Sequence, residues 1–206
     1  MSAHVTAIAR STAKEPPPRP ETLDVHQRAR RDRIVQATVE MLPHTPYESL
    51  QMKDITVKAG VALGTTYRYF SSKEHLVGEA LFVWALSFNR DVEVAEEPTV
   101  DRVKTGYRRA VRAFEVFPCV YGHILAVQGS SDPTVVEIFD EFASGRMDAF
   151  GAYLADIASP KRDRIIAVMS AVLAESLRSW SLGRKSIADV YTAIDSAADL
   201  LVGAAD

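Results

Sequence analysis

A lone glycine, Gly60, separates two stretches of helical text, each only about two turns long. Before it, Met52, Ile55 and Ala59 mark a short helix. After it, Val61 returns to the apolar pattern, and Tyr67 and Phe70 mark a second short helix. Two such helices joined by a glycine turn make the helix-turn-helix pattern. A third helix precedes them. Ile34, Ala37, Thr38, Met41 and Leu42 fall at i, i+3, i+4, i+7 and i+8, the stripe of a core-facing helix, and Pro43 and Pro46 close it. Behind the unit, Ser72 offers a cap to a longer helix carrying Leu76, Ala80, Leu81, Val83 and Trp84. After the polar stretch Glu93–Thr99, apolar helical text runs over residues 100–117, 121–127, 133–158, 161–182 and 187–202. Pro133 and Pro160 open two of these segments, Gly183 ends another, and Ser186 with Asp189 reads as a capping box. With no convincing β-hairpin and no repeat, the pattern predicts an all-α chain of about nine helices.

The chain has 206 residues, 47% of them hydrophobic, enough for a sizeable core. Its longest apolar runs are far too short to cross a bilayer, and the N-terminus lacks a signal-peptide pattern, so no membrane partner is expected. One cysteine, Cys119, allows no internal disulfide and fits a cytoplasmic location. The net charge of −3 is unevenly spread. Residues 1–90 carry 12 Lys/Arg against 9 Asp/Glu, and residues 91–206 carry 12 against 18. A slightly basic head on an acidic body is compatible with binding nucleic acid at one end. Residues 1–24, with their EPPPRPE run, read as a disordered arm; Arg10, Lys14 and Arg19 suit a DNA groove, but a plain tail is the better reading. The expected organisation is an arm over 1–24, a helix-turn-helix head over 25–75 and a helical body over 76–206.

The stretch VALGTTYRYFSSK (Val61–Lys73) crowds hydroxyls, aromatics and cations behind the glycine. A recognition helix must be slim enough for the major groove, offer groups to base edges and be clamped by phosphate contacts. Gly64 and Thr65 meet the first demand, and Thr65 suits a base edge or a thymine methyl. Tyr67, Tyr69 and Lys73 offer donors to phosphates, and the Arg68 fork suits guanine or a bidentate phosphate contact. Tyr67 and Phe70 share a helical face, which lets both rings plug the core. Arg28, Arg30, Arg31 and Arg33 crowd the first turns of the preceding helix. That is the unfavourable end of the macrodipole for cations, unless phosphates use them.

The order of these residues resembles the TetR family of one-component transcriptional regulators, from about Arg30 to Leu86. The family pattern, a turn glycine followed by V-S-x-G-T-L-Y-x-Y-F-x-x-K-E-x-L, aligns without gaps with Gly60–Leu76. QMKDITVKAGVALGTTYRYFSSKEHL looks particularly like the actinobacterial branch of that family that represses sterol breakdown. Ala62 departs from the usual serine, so the recognition helix lacks its common N-cap. Thr66 replaces a usual leucine, and Gln51 stands where a Ser or Thr usually opens the preceding helix. The resemblance implies double-stranded operator DNA as a partner, approached by Gln51, Lys53, Leu63, Gly64, Thr65, Tyr67, Arg68, Tyr69 and Lys73. It places Tyr67, Tyr69 and Lys73 on phosphates and Lys53, Leu63, Thr65 and Arg68 on bases, with Thr66 turned to the core.

Between head and tail lies an aromatic-rich set: Phe114, Phe117, Tyr121, Leu125, Phe139, Phe142, Met147, Phe150 and Tyr153. Each alone suits packing. By resemblance the region forms an effector pocket for a small apolar ligand, acyl or sterol-derived, with His123, Gln128, Arg146 and Glu175 as polar contacts. The last two helices carry Met169, Leu173, Leu177 and Trp180 on one and Ile194, Ala197 and Leu201 on the other, which the family uses for a homodimer interface. The rival reading is a helical enzyme. The chain lacks H-E-x-x-H, P-loop, G-x-S-x-G and G-x-G-x-x-G patterns, and no His, Cys, Asp and Glu group has metal-ligand spacing. Cys119 and His123 stand four apart, but the apolar context favours a buried structural thiol. No catalytic residue, metal or cofactor is expected.

Overall fold

The computed structural model describes residues 17–88 and 96–203. Among them are nine α-helices and no strand: α1 Val25–Met41, α2 Met52–Ala59, α3 Leu63–Tyr69, α4 Lys73–Phe88, α5 Thr99–Val116, α6 Pro118–Gln128, α7 Pro133–Gly151, α8 Lys161–Ser181 and α9 Ile187–Val202. Most boundaries follow from local chemistry. Asp24 accepts from the Gln27 amide while the Gln27 side chain accepts from the Asp24 amide, a capping box that opens α1. Gly60 sits at φ 65°, the left-handed conformation a glycine adopts without a Cβ clash, and so turns the chain from α2 into α3. The Ser72 hydroxyl accepts from the His75 amide at 3.0 Å to start α4, and Ser186 with Asp189 boxes the start of α9.

Three expectations are corrected. The N-terminal arm ends earlier than residue 24, because Pro20–Thr22 form a 3-10 turn and Leu23 is buried. Arg10 and Lys14 lie outside the described residues. The helix opened by Pro133 stops at Gly151 rather than running to 158. A 3-10 turn, Ala152–Leu154, then drives Tyr153 and Leu154 inward. Finally, α6 starts at Pro118, whose fixed φ suits a first helical position, and the chain bends by 99° between α5 and α6.

Two clusters of buried side chains hold the chain together. The first joins α1–α4 through Ile34, Leu42, Leu50, Ile55, Phe70, Leu76 and Val77, and it reaches Val120, Val127 and Val135 of α6 and α7. The second joins α5, α8 and α9 through Val103, Tyr107, Val111, Ile166, Met169, Leu177, Val190 and Ile194. No single helix among the described residues is long and apolar enough to cross a membrane.

Candidate functional site

The short helix α3 is held by two inward residues three apart, Thr66 and Tyr69, both essentially without solvent exposure. Thr66 lies on the core side, as expected, and its hydroxyl has no partner. Leu63, Gly64, Tyr67 and Arg68 are left exposed and Thr65 half-buried, with Gln51 and Lys53 exposed on the neighbouring α2. Arg30 is half-buried on α1. Most of the predicted residues are therefore accessible from solvent, with two exceptions. Tyr69 is 1% exposed against 38% for Tyr67, so the ring that plugs the core beside the buried Phe70 is Tyr69, not Tyr67, and its hydroxyl is withdrawn from any phosphate. The cause is the helix end. Phe70 is already extended at φ −130°, so 67 and 70 do not share a helical face. The hydroxyl of Tyr69 instead accepts from Arg68 at 3.1 Å. Lys73 is also committed inward. Its ammonium donates to the carbonyls of Tyr47 at 2.9 Å and Leu50 at 3.2 Å and lies 3.8 Å from the Tyr47 ring centroid. It clamps the turn before α2 rather than facing a phosphate. No side chain caps α2 or α3, in keeping with Gln51 and Ala62 at those positions.

The arginines of α1 divide. Arg28 and Arg33 are exposed, but Arg31 is buried, bonded to Glu79 of α4 and stacked 5.1 Å from the Phe70 centroid. Burial alone would raise the Glu79 pKa; His75 and Arg31 outweigh it and hold the carboxyl below its usual range.

Two further polar bridges tie this head to the body. The Ser71 hydroxyl, just past α3, donates to the Asp132 carboxylate at 2.9 Å, and Asp132 also caps α7 by accepting from the Thr134 amide. Burial opposes ionisation of Asp132, but these hydrogen bonds prevail and lower its pKa. On α6, the fully buried His123 donates from Nε2 to the Thr45 carbonyl at 2.8 Å, while its Nδ1 has no partner. Burial pushes its pKa down. His123 is thus a link to the α1–α2 loop and not a cavity contact.

A cavity of about 160 Å³ opens among α4, α5, α6, α7 and α8. Of the predicted ligand residues, Phe114, Tyr121, Gln128, Phe142 and Phe150 line it. Phe117, Leu125, Met147 and Glu175 do not. Phe117 sits at the α5–α6 bend and packs in the first cluster beside Trp84, and Leu125 and Met147 pack against the second cluster. Glu175 is exposed, pairs with Arg178 and accepts from Ser179. The side chain of Arg146 lies outside the described residues. The Tyr121 hydroxyl is held by the Ala174 carbonyl at 2.6 Å, and burial pushes its pKa up to about 12. The space exists because small residues stand at helical spacing on the walls: Gly106, Ala110 and Ala113 on α5, Gly145 and Ala149 on α7, Ala174 on α8. Sequence reasoning missed Trp84, Arg109 and Ser170 on these walls. Arg109 had a signal: it is the one charged residue in the stripe 106, 109, 110, 113, 114.

The predicted dimer residues also divide. Met169, Leu173, Leu177 and Ile194 are buried in the chain's own core, and Leu173 and Leu177 face the cavity. They cannot meet a partner. Trp180, Ala197 and Leu201 are half-buried. The outer side of this helix pair instead presents Val168, Ala171, Leu182 and Leu200, the last 76% exposed.

Residues 34–80 match the family described as bacterial regulatory proteins, tetR family. The chain is 32% identical over 190 residues to the HTH-type transcriptional repressor KstR of Mycolicibacterium smegmatis, covering 86% of this chain and 89% of the relative. The repressor of the same name from Mycobacterium tuberculosis is 31% identical over 188 residues, covering 87% of this chain and 84% of the relative. Among solved structures, a TetR transcriptional regulator from Rhodococcus sp. RHA1 superposes with a TM-score of 0.76 at 23% identity, over 88% of this chain and 100% of that one. FadR from Bacillus subtilis, solved in complex with stearoyl-CoA, superposes with a TM-score of 0.64 at 17% identity, over 85% of this chain and 99% of that one. These two likenesses are of fold.

Proposed function

The chain belongs to the tetR family of bacterial regulatory proteins, and from that premise we propose that it is a transcriptional repressor released from a palindromic operator by a small, largely apolar effector. The observation that carries this reading is the exposed face of α3. Thr66 and Tyr69 anchor the helix, while Leu63, Gly64, Tyr67 and Arg68 are presented to solvent beside Lys53. Hydroxyl, guanidinium and ammonium donors beside an apolar tip are the means by which a helix reads a major groove and holds its phosphates. Two copies related by a two-fold axis would set two such helices about 34–36 Å apart, on successive half-sites. The outer faces of α8 and α9 are the surfaces offered for that pairing.

The effector site in this reading is the cavity. Helix α4 starts beside α3 and lines the cavity with Phe82, Ala85 and Leu86, so an occupant that moves α4 moves the head. The Asp132–Ser71 and His123–Thr45 bonds add two further rods, from α7 and α6. An effector shifts the DNA-binding equilibrium only through its different affinity for the two arrangements, usually ~1–3 kcal/mol. The fold shared with a regulator solved in complex with stearoyl-CoA supports an acyl effector, and the resemblance of Gln51–Leu76 to repressors of sterol breakdown supports a sterol-derived one. The test is a titration of the protein onto its own upstream intergenic DNA at several salt concentrations. Saturable binding at a near-palindrome that weakens steeply with salt is expected. Affinity no better than for random DNA there and across a genome-wide fragment selection would defeat the reading.

A further inference from the structure

Helix α5 carries five cations, and four of them have an acidic partner. Arg102 is bonded to Asp156, Lys104 to Asp199, Arg108 to both carboxylate oxygens of Asp195, and Arg112 to Glu115. Arg109 is the exception: among the described residues no carboxylate lies within ion-pair distance of it. It is also the one of the five that lines the cavity, where no aspartate or glutamate stands with it. Arg109 is exposed at the cavity wall, so its guanidinium is solvated and its paired N–H donors are free to exchange water for an anion. A second group stands ready beside it. Gly106, one turn earlier on the same face, leaves room for the Tyr153 ring, which lies 2.6 Å from where a Cβ would be. Tyr153 also lines the cavity, and no protein group among the described residues hydrogen-bonds its hydroxyl.

We infer that the effector is an amphipathic anion, with an apolar body against Trp84, Phe114, Phe142 and Phe150 and an anionic end held by Arg109 and the Tyr153 hydroxyl. This rests on the cavity being the effector site. The guanidinium fork fits a carboxylate or a phosphate through paired N–H donors, and the phenol adds a third. A free acid and the phosphates of a nucleotide thioester are two sources of that one chemistry. A neutral alcohol or ketone of the same shape leaves Arg109 without a counter-charge, which makes the residue a determinant of effector choice.

The test is titration calorimetry of the full chain with dodecanoate, dodecanoyl-CoA and 1-dodecanol, and with lithocholate against its methyl ester for a rigid body. Each is run on the wild type, Arg109→Gln and Arg109→Lys. Arg109 is exposed and unpaired, so both variants should fold, and their melting curves check this. Expected is a preference of about tenfold or more for the anionic member of a pair, lost in Arg109→Gln and partly kept in Arg109→Lys. The thioester binding more tightly than the free acid, with the same dependence on Arg109, identifies the phosphates as the anion; the reverse order identifies the carboxylate. If the neutral members bind as tightly as the anions in the wild type, or if Arg109→Gln leaves the preference intact, the inference falls while the cavity reading stands. If none of the five binds while operator DNA is still bound, both the inference and the cavity as effector site fall.

Discussion

At the scale of single residues, the recognition stretch divides by which way each side chain turns, and sequence spacing alone did not settle that. Tyr67 and Lys73 carry similar phosphate-binding credentials on paper. In the structure Tyr67 faces solvent, whereas Lys73 bonds two main-chain carbonyls across the Tyr47–Leu50 turn. Tyr67→Phe should therefore weaken operator binding several-fold, with a smaller loss of stability than Lys73→Met. Lys73→Met should lower stability by about 2 kcal/mol, since hydrogen bonds from a charged group are worth roughly 1.5–3 kcal/mol. Parallel chemical denaturation and DNA titration of both variants check the pair, and a stable Lys73→Met with lost DNA affinity would reverse the assignment. Much of this is legible in the sequence: Gly60, the stripe at 34–42 and the capping box at Ser186 follow from local rules, and the inward turn of Thr66 follows from the family resemblance. The exchange of Tyr67 for Tyr69 was not legible, because it depends on α3 ending one residue before Phe70. Arg109 was hidden for another reason. Its meaning lies in the absence of a partner, and three of its four neighbours find theirs far along the chain, in Asp156, Asp195 and, 95 positions from Lys104, Asp199.

At the scale of elements, α3 starts without a cap. Ala62 holds the extended conformation of an N-cap at φ −75° and ψ 147° but has no side-chain oxygen to offer. Ala62→Ser should stabilise the helix by ~0.5–2 kcal/mol, read as a shift in denaturation midpoint without a change in slope. The bridges between elements are a different matter, since their value is in coupling. Asp132→Asn weakens the charge-assisted bond from Ser71 while leaving α3 and its exposed face in place. Operator affinity without effector should be nearly unchanged, and the fold-release by an effector should shrink. A variant still released as fully as the wild type would exclude the α7 rod from the mechanism. The α6 rod brings a pH dependence. Burial depresses the pKa of His123, so the folded chain resists the proton that the unfolded chain accepts around pH 6.5. The stability contributed by the neutral ring is complete above that pH and is lost as the pH falls through and below it. The melting temperature should drop more between pH 7.5 and 5.5 in the wild type than in His123→Asn, which keeps a donor for the Thr45 carbonyl but has no proton to gain.

At the scale of the whole molecule, the question is which residues of α8 and α9 serve the chain's own core and which serve a second copy. An apolar stripe reads the same in either role, which is why the family resemblance offers Met169, Leu173, Leu177 and Ile194 to a partner. All four are buried within the single chain. A helix packed on one side against α5 and the cavity can offer a partner only its other side. On α8 that side carries Val168 and Ala171, with Leu182 just past the helix end, and on α9 it carries Leu200. Isolated exposed apolar side chains are ordinary, but a two-fold contact through the outer sides of two packed helices would bury each of these twice over. The two sets make opposite predictions. Leu200→Asp removes nothing from the monomer's core, so the chain should stay folded, run as a monomer in sedimentation velocity and lose cooperative binding to a two-half-site operator. Met169→Asp buries a carboxylate without a partner and should unfold the chain outright, whatever its oligomeric state. A Leu200→Asp chain that remains dimeric and binds the full operator normally would place the interface elsewhere. The spacing of the two α3 helices would then have to come from another face of the molecule.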